Sequence, residues 1–303
     1  MSKSGADFSS RWLEVRPTRI SVAKTHSMRL INRWGNSKPY LSGDLFADES
    51  DISFYSPKFR RIKPTLRQIR EANVIFCPSS KLELLLETYS GLINPKILIC
   101  GNDDMDFHNL PENLPSSIKH IFLQNSFVPN SRKVTAIPIG LENLRWGKNG
   151  FPKLMKNEIP WGMRSKKTMI GPFGLTHPER YQVRNLITES DEVVELFRER
   201  LSPQDLSDQS QKFQFVAAVR GNGVDTHRHW ETAYRGAYAL VKRDNWYRNF
   251  ENSGLPFLAV ESWEVGEIAR VTEPVKSPPI DPINVEILWW PYWKSLISAR
   301  MSA

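Results

Sequence analysis

The densest group of chemically capable residues runs from Arg220 to Glu231, reading Arg-Gly-Asn-Gly-Val-Asp-Thr-His-Arg-His-Trp-Glu. It follows an apolar run at 213–219 and precedes a segment with helical spacing at 226–238, for which Asp225 or Thr226 is the start signal. Gly221 and Gly223 permit close backbone approach to a phosphate, and a helix start adds a favourable dipole for an anion. Arg228 falls in the first helical turn, where a guanidinium opposes that dipole. The placement makes sense where Arg228 clamps a diphosphate through paired hydrogen bonds. Glu231 stands one turn further along the same face, where a carboxylate can accept the hydroxyls of a ribose. The competing reading is a capping box, with Glu231 bonded back to the helix start and Arg228 merely solvated. The glycine pair, the preceding strand and Arg220 together favour the anion site.

Such a loop needs strands and helices to carry it, and the chain has the rhythm to supply them. Apolar runs at 72–77 and 96–100 read as buried strands, with a helix between them at 81–89 whose Leu82, Leu85 and Leu86 share one face. Further strands are expected at 118–124 and 134–139. The segment 149–163 carries glycines and prolines without a period and reads as a linker. After it the pattern restarts. A strand is expected at 168–170, helices at 178–188 and 193–201, a strong strand at 213–219, then strands at 239–241 and 255–260. A short helix follows at 263–268, and an aromatic terminal segment at 285–300. Short apolar strands alternating with helices predict an α/β protein with parallel sheets covered on both faces. Ligands of such sheets bind outside the carboxyl ends of the strands, where the glycine loop lies.

The 303 residues suffice for two domains, and 40% apolar with 24% charged residues exclude general disorder. No apolar run approaches the roughly 20 residues of a membrane span, and the first residues lack a secretory apolar core. Cys77 and Cys100 sit in apolar runs and read as reduced core residues, which fits a cytoplasmic setting. The formal charge of +8 comes from 41 Lys and Arg against 33 Asp and Glu. These cations are spread along the chain rather than gathered, and no nucleic-acid-binding module is recognisable, so a nucleic-acid partner is not expected. There is no HExxH and no Cys/His cluster, and His227 and His229 are poorly spaced for a metal, so no metal and no cofactor are expected. His108 and His120 read as ordinary surface or packing histidines.

The region from 212 to 268 resembles the donor-binding half of exostosin-like glycosyltransferases, with a strand, a glycine turn, Asp225-Thr226-His227-Arg228-x-Trp230-Glu231, a helix and a later Leu255-Pro256 segment. Upstream pieces are similar in the same order: Ser42-Gly43-Asp44, Cys100 to Asp104, Gln124-Asn125, Ile137 to Asn143, and Thr176 to Arg180. The likeness spans about residues 40 to 270. It implies a GT-B arrangement, two Rossmann-like domains facing across a cleft. Residues 1–150 would form the acceptor side, with 285–303 packing back on it as a crossing helix. Residues 164–284 would bind the nucleotide-sugar. Arg228 is implied as the diphosphate ligand, Glu231 as the ribose ligand and Arg180 as a second phosphate contact. Arg220, Gly221, Asn222, Gly223, Asp225, Thr226 and His227 complete the donor set.

The implied activity is metal-independent transfer of a hexosyl or related group from a nucleotide-sugar to a glycan, lipid-linked or other hydroxyl acceptor, in polysaccharide or glycoconjugate synthesis. An inverting enzyme needs a general base, for which Asp104 and Asp44 are the candidates, and a retaining one does not. Asn102, Gln124, Asn125 and Glu142 are candidate acceptor contacts; the amides among them read equally well as loop supports. The acidic run at 103–106 faintly resembles a divalent-cation motif of other transferases but lacks supporting ligands. The family usually has proline where this chain has Val219 and Ala239, two structural positions. That difference leaves a non-catalytic sugar-nucleotide- or glycan-binding partner as the alternative. Trp289, Trp290, Tyr292 and Trp293 beside Lys294 and Arg300 are expected to pack as a terminal helix; peripheral membrane association is the other reading.

Overall fold

The structure is a computed structural model that describes residues 16–17, 37–55, 65–89, 91–147 and 149–302. The first sheet has six strands in the order β1 (Arg16–Pro17), β2 (Ile52–Ser53), β3 (Val74–Pro78), β4 (Ile97–Gly101), β5 (His120–Leu123) and β6 (Val134–Ala136). β1 is antiparallel to β2, and the other pairings are parallel. A parallel sheet whose strands follow chain order has a particular consequence. Right-handed crossovers that always step the same way all fall on one face. Ile69 of α2 (Leu66–Glu71) and Leu82, Leu85 and Leu86 of α3 (Leu82–Thr88) join Ile75, Cys77, Leu98, Cys100 and Ile121 there.

The opposite face presents Val74, Phe76, Ile97, Ile99 and Phe122, and no crossover is available to cover it. It is covered instead by Leu45 and Phe46 of α1 (Gly43–Glu49) and by Trp290, Trp293 and Ile297 of the terminal helix. The aromatic end of the chain is thus folded onto the first sheet, with Trp290 and Trp293 buried. Among the described residues, no helix is long and apolar enough to cross a membrane.

The second sheet comprises β7 (Ser165–Ile170), β8 (Val194–Leu196), β9 (Phe213–Ala217), β10 (Tyr238–Lys242) and β11 (Phe257–Val260), all parallel, in the order β11-β10-β9-β7-β8. The direction in which strands are added reverses between β7 and β9, because β8 lies on one side of β7 and β9 on the other. The crossover helix after β7, α4 (Pro178–Leu186), packs Val183 on one face, whereas α6 (His227–Tyr234), after β9, packs Trp230 and Ala233 on the other. Between them come α5 (Pro203–Ser210) and, later, α7 (Asn245–Arg248), α8 (Val265–Thr272) and α9 (Trp290–Ser302). The loops leaving β7 and β9 therefore diverge and open a crevice, the place where open α/β sheets hold ligands.

Two expectations are corrected. Residues 193–201 form no helix; Val194–Leu196 is an edge strand paired to β7 alone, and its solvent side carries the charges that imitate a helical face. The helix expected at 226–238 stops at Tyr234, because Tyr238–Lys242 is already strand. Ala239 donates its N–H to Pro256 O at 2.9 Å, a bond that proline at this position could not make.

Candidate functional site

The crevice between β7 and β9 is walled by 171–176 on one side and 219–226 on the other. Two cations enter it from opposite helices, Arg180 in the first turn of α4 and Arg228 in the first turn of α6. Both oppose the dipole of the helix that carries them. Arg180 donates to Gly174 O at 2.9 Å, Thr176 Oγ1 at 3.2 Å and Val219 O at 3.2 Å, so it bridges the two walls. No carboxylate lies within ion-pair distance of it among the described residues, and its Nε is buried without a hydrogen-bond partner. Burial, and next the positive charge of Arg228, pull the Arg180 guanidinium down to about 10. Two like charges share a partly buried crevice, an arrangement that an anion would relieve.

Arg228 is the looser of the pair. Its contacts to Gly171 O and Pro172 O are 3.4 and 3.5 Å, and Glu231 Oε2 lies 3.5 Å from its Nε. Charge-assisted bonds in good geometry run about 2.7–2.9 Å, so this guanidinium is held near the crevice without being committed to a partner. Arg220 differs. It donates to Asp106 Oδ2 at 2.6 Å. Of the three arginines expected at the anion, Arg220 is the one hydrogen-bonded to a carboxylate among the described residues.

The capping reading of Glu231 fails for a local reason. Thr226 is the N-cap, and its N–H donates to His229 Nδ1 at 3.0 Å, so His229 fills the role that a Glu often takes. His229 is buried against Trp246 with ring centroids 4.6 Å apart. Glu231 is left one turn down, its side chain 5% exposed, between Arg228 and Arg235.

The rest of the expected donor loop joins the two sheets along a seam. Asp225 accepts from Ile139 N at 2.7 Å and from Trp230 Nε1 at 2.8 Å, so both oxygens are engaged inside the protein. Its own N–H donates to Asn125 Oδ1 at 2.9 Å. His227 Nδ1 donates to Gly140 O at 2.8 Å, Asn222 donates to Asp104 at 3.1 Å, and Val224 N donates to Asp106 at 3.0 Å. A Cβ on Gly223 would stand 2.7 Å from the Asn125 amide, and one on Gly221 would stand 3.1 Å from Arg180 Nη2. The glycines here admit neighbouring side chains as closely as they would admit a phosphate. Apolar contact continues across the seam, where Ala136 and Leu141 join Trp230 and Tyr234 in one cluster.

On the first-sheet side, Asp44 accepts from Arg145 and, at 3.3 Å, from Asn102 Nδ2. Asn143 donates to Asn102 Oδ1 at 2.9 Å and accepts from Asp44 N at 2.9 Å. Gln124 accepts from Asn102 N at 2.9 Å and donates to Asp103 O at 3.0 Å, and Asn125 also donates to Asp103 O. Buried Gln124 and Asn125 therefore act as loop supports, and Glu142 accepts from Asn149 N at 2.7 Å in the same capacity. Asn102 and Asn125 have positive φ, 60° and 54°, a backbone state that asparagine tolerates better than most residues. Of the two base candidates, Asp104 is exposed and bonded to a neutral amide, whereas Asp44 faces a guanidinium.

The acidic run is fully engaged. Asp103 accepts from Ser80 N at 2.6 Å and Met105 N at 3.0 Å, while Asp104 and Asp106 face Asn222 and Arg220. No group of three metal-ligating side chains occurs among the described residues. Cys77 and Cys100 are free and buried, and burial pushes both thiols up, which makes them unreactive. His120 is held by Arg132 O and Thr135 Oγ1, as befits a packing residue, and His108 stacks on Phe127. Sequence reading missed Arg235 behind Glu231 and Asp106 as the partner of Arg220. The only local signal for the first was an arginine at i+4 from Glu231.

No family model matches the chain, and no curated protein matches it. Among solved structures, sucrose-phosphate synthase from Thermosynechococcus elongatus aligns with a TM-score of 0.29 and 12% identity, over 78% of this chain and 55% of that one. The chain spans about half the length of that enzyme.

Proposed function

We propose that the protein is a glycosyltransferase of the GT-B type, moving a sugar from a nucleotide diphosphate donor to a hydroxyl acceptor of a glycan or lipid-linked saccharide. The observation that carries this reading is the under-neutralised pair Arg180 and Arg228 at the point where the strand order of the second sheet reverses. In the reaction the acceptor oxygen attacks the anomeric carbon, the bond from that carbon to the phosphate oxygen breaks, and its electron pair leaves on the diphosphate. The charge that builds there is met by two preorganised guanidinium groups, the kind of term that dominates many rate enhancements. Glu231 accepts the ribose hydroxyls, and Asp104 takes the acceptor proton if the reaction inverts.

A non-catalytic donor-binding protein is the second reading, favoured by the bonds that fasten the glycine loop to Asp104, Asp106 and Asn125. One experiment separates them. Incubated with UDP-, GDP- and TDP-sugars, the protein should slowly release free sugar from one donor, and the Asp104→Asn variant should bind that donor normally while losing transfer. Binding without any release across the panel would favour the non-catalytic reading. Transfer that survives in Asp104→Asn but not in Asp44→Asn would move the base to Asp44.

A further inference from the structure

Resting on the nucleoside diphosphate reading of the crevice, we propose that Arg235 is a positioning residue that sets the preference of this site for ribose over 2′-deoxyribose. Arg235 closes α6, one turn beyond Glu231, with its side chain only 3% exposed. A cation so deep needs counter-charge or a full set of acceptors. Its counter-charge stands at long range and its acceptors are few. Its Nε and Nη2 donate to one carbonyl, Leu154 O, at 3.4 and 3.3 Å, and its Nη1 is buried without a hydrogen-bond partner among the described residues. That Nη1 lies 3.7 Å from Glu231 Oε2. Arg164 adds a second buried guanidinium behind it, donating to Arg235 O at 3.0 Å.

Glu231 is therefore bracketed by Arg228 on the crevice side at 3.5 Å and Arg235 on the buried side at 3.7 Å. Both are ion pairs too long or too poorly aligned to be hydrogen bonds, so the carboxylate oxygens keep their accepting capacity. When Arg228 turns to a diphosphate, Arg235 remains as the counter-charge that holds the carboxylate facing the crevice. A carboxylate fixed in this way can accept from two vicinal hydroxyls, and a sugar lacking one of them leaves an acceptor unpaired. Burial pulls the Arg235 guanidinium down and the charge of Glu231 opposes that pull, which accords with the pair acting as a unit.

The test titrates UDP, GDP, their 2′-deoxy forms and inorganic pyrophosphate into the wild-type chain and into Arg235→Gln and Arg235→Lys. The wild type should prefer the ribonucleotide by about tenfold or more, the worth of one hydrogen bond to a charged group. Arg235→Gln should bring the two sugars to within about twofold of each other while pyrophosphate, which does not reach Glu231, binds nearly as before. Arg235→Lys, which keeps the charge without the fork, should fall between them. An unchanged ratio in Arg235→Gln, or equal weakening of ribonucleotides, deoxyribonucleotides and pyrophosphate, would overturn the proposal. If the Gln variant does not fold, a wild-type ratio in Arg235→Lys would overturn it. A wild type that binds neither nucleotide nor pyrophosphate would remove the underlying reading as well.

Discussion

Three arginines approach one crevice, and contact length sorts them. Arg220 sits 2.6 Å from Asp106, a pair whose side chains are 19% and 16% exposed, whereas the hydrogen bonds and ion pair of Arg228 among the described residues run 3.4–3.5 Å. Removing Arg220 should act on the seam. Arg220→Ala leaves Asp106 partly buried without its counter-charge, and should lower stability by about 2 kcal/mol while pyrophosphate affinity stays nearly constant. Thermal unfolding and titration on the same sample check both halves; a large loss of affinity with unchanged stability would return Arg220 to the anion. The sequence could not make this distinction. Asp106 is 114 positions away in the chain, and its engagement depends on how two sheets dock. The placing of Arg228 and Glu231 one turn apart on one helix was legible because that relation is local.

At the scale of elements, the glycine loop after β9 has two neighbours of different stiffness. A methyl at Gly223 would press on Asn125, which is buried and held at both ends of its amide. A methyl at Gly221 would meet the tip of the Arg180 side chain. Gly223→Ala should therefore cost about 1–3 kcal/mol of stability by overpacking. Gly221→Ala should fold normally and weaken pyrophosphate binding by displacing the guanidinium. Equal behaviour of the two variants in unfolding and titration would contradict this division. The strands themselves were readable wherever both faces are buried, as in Val74–Pro78 and Ile97–Gly101, which appear as unbroken apolar runs. Val194–Leu196 escaped because an edge strand keeps charges on its open side.

The whole molecule is two sheets joined along a seam, with the chain end returned to the first. Strand order explains that return. A sheet wound in one direction leaves one face bare, and Trp290, Trp293 and Ile297 cover it. Trp293 packs edge-on to Phe46 and donates from Nε1 to Ile287 O at 2.8 Å. Trp293→Ala should cost about 3–5 kcal/mol, a loss read by denaturant unfolding, although the residue belongs to the other sheet from the crevice. A cost near zero would mean that the helix does not cover the core. The central claim is that this architecture holds the diphosphate of an activated sugar between Arg180 and Arg228. It is tested most directly by calorimetric titration of UDP and GDP into the wild type and Arg228→Ala. Saturable heat from at least one nucleotide is expected, with affinity reduced in the variant by about 2–5 kcal/mol and unfolding unchanged. Absence of heat from both nucleotides, or equal affinity in the two proteins, would contradict it.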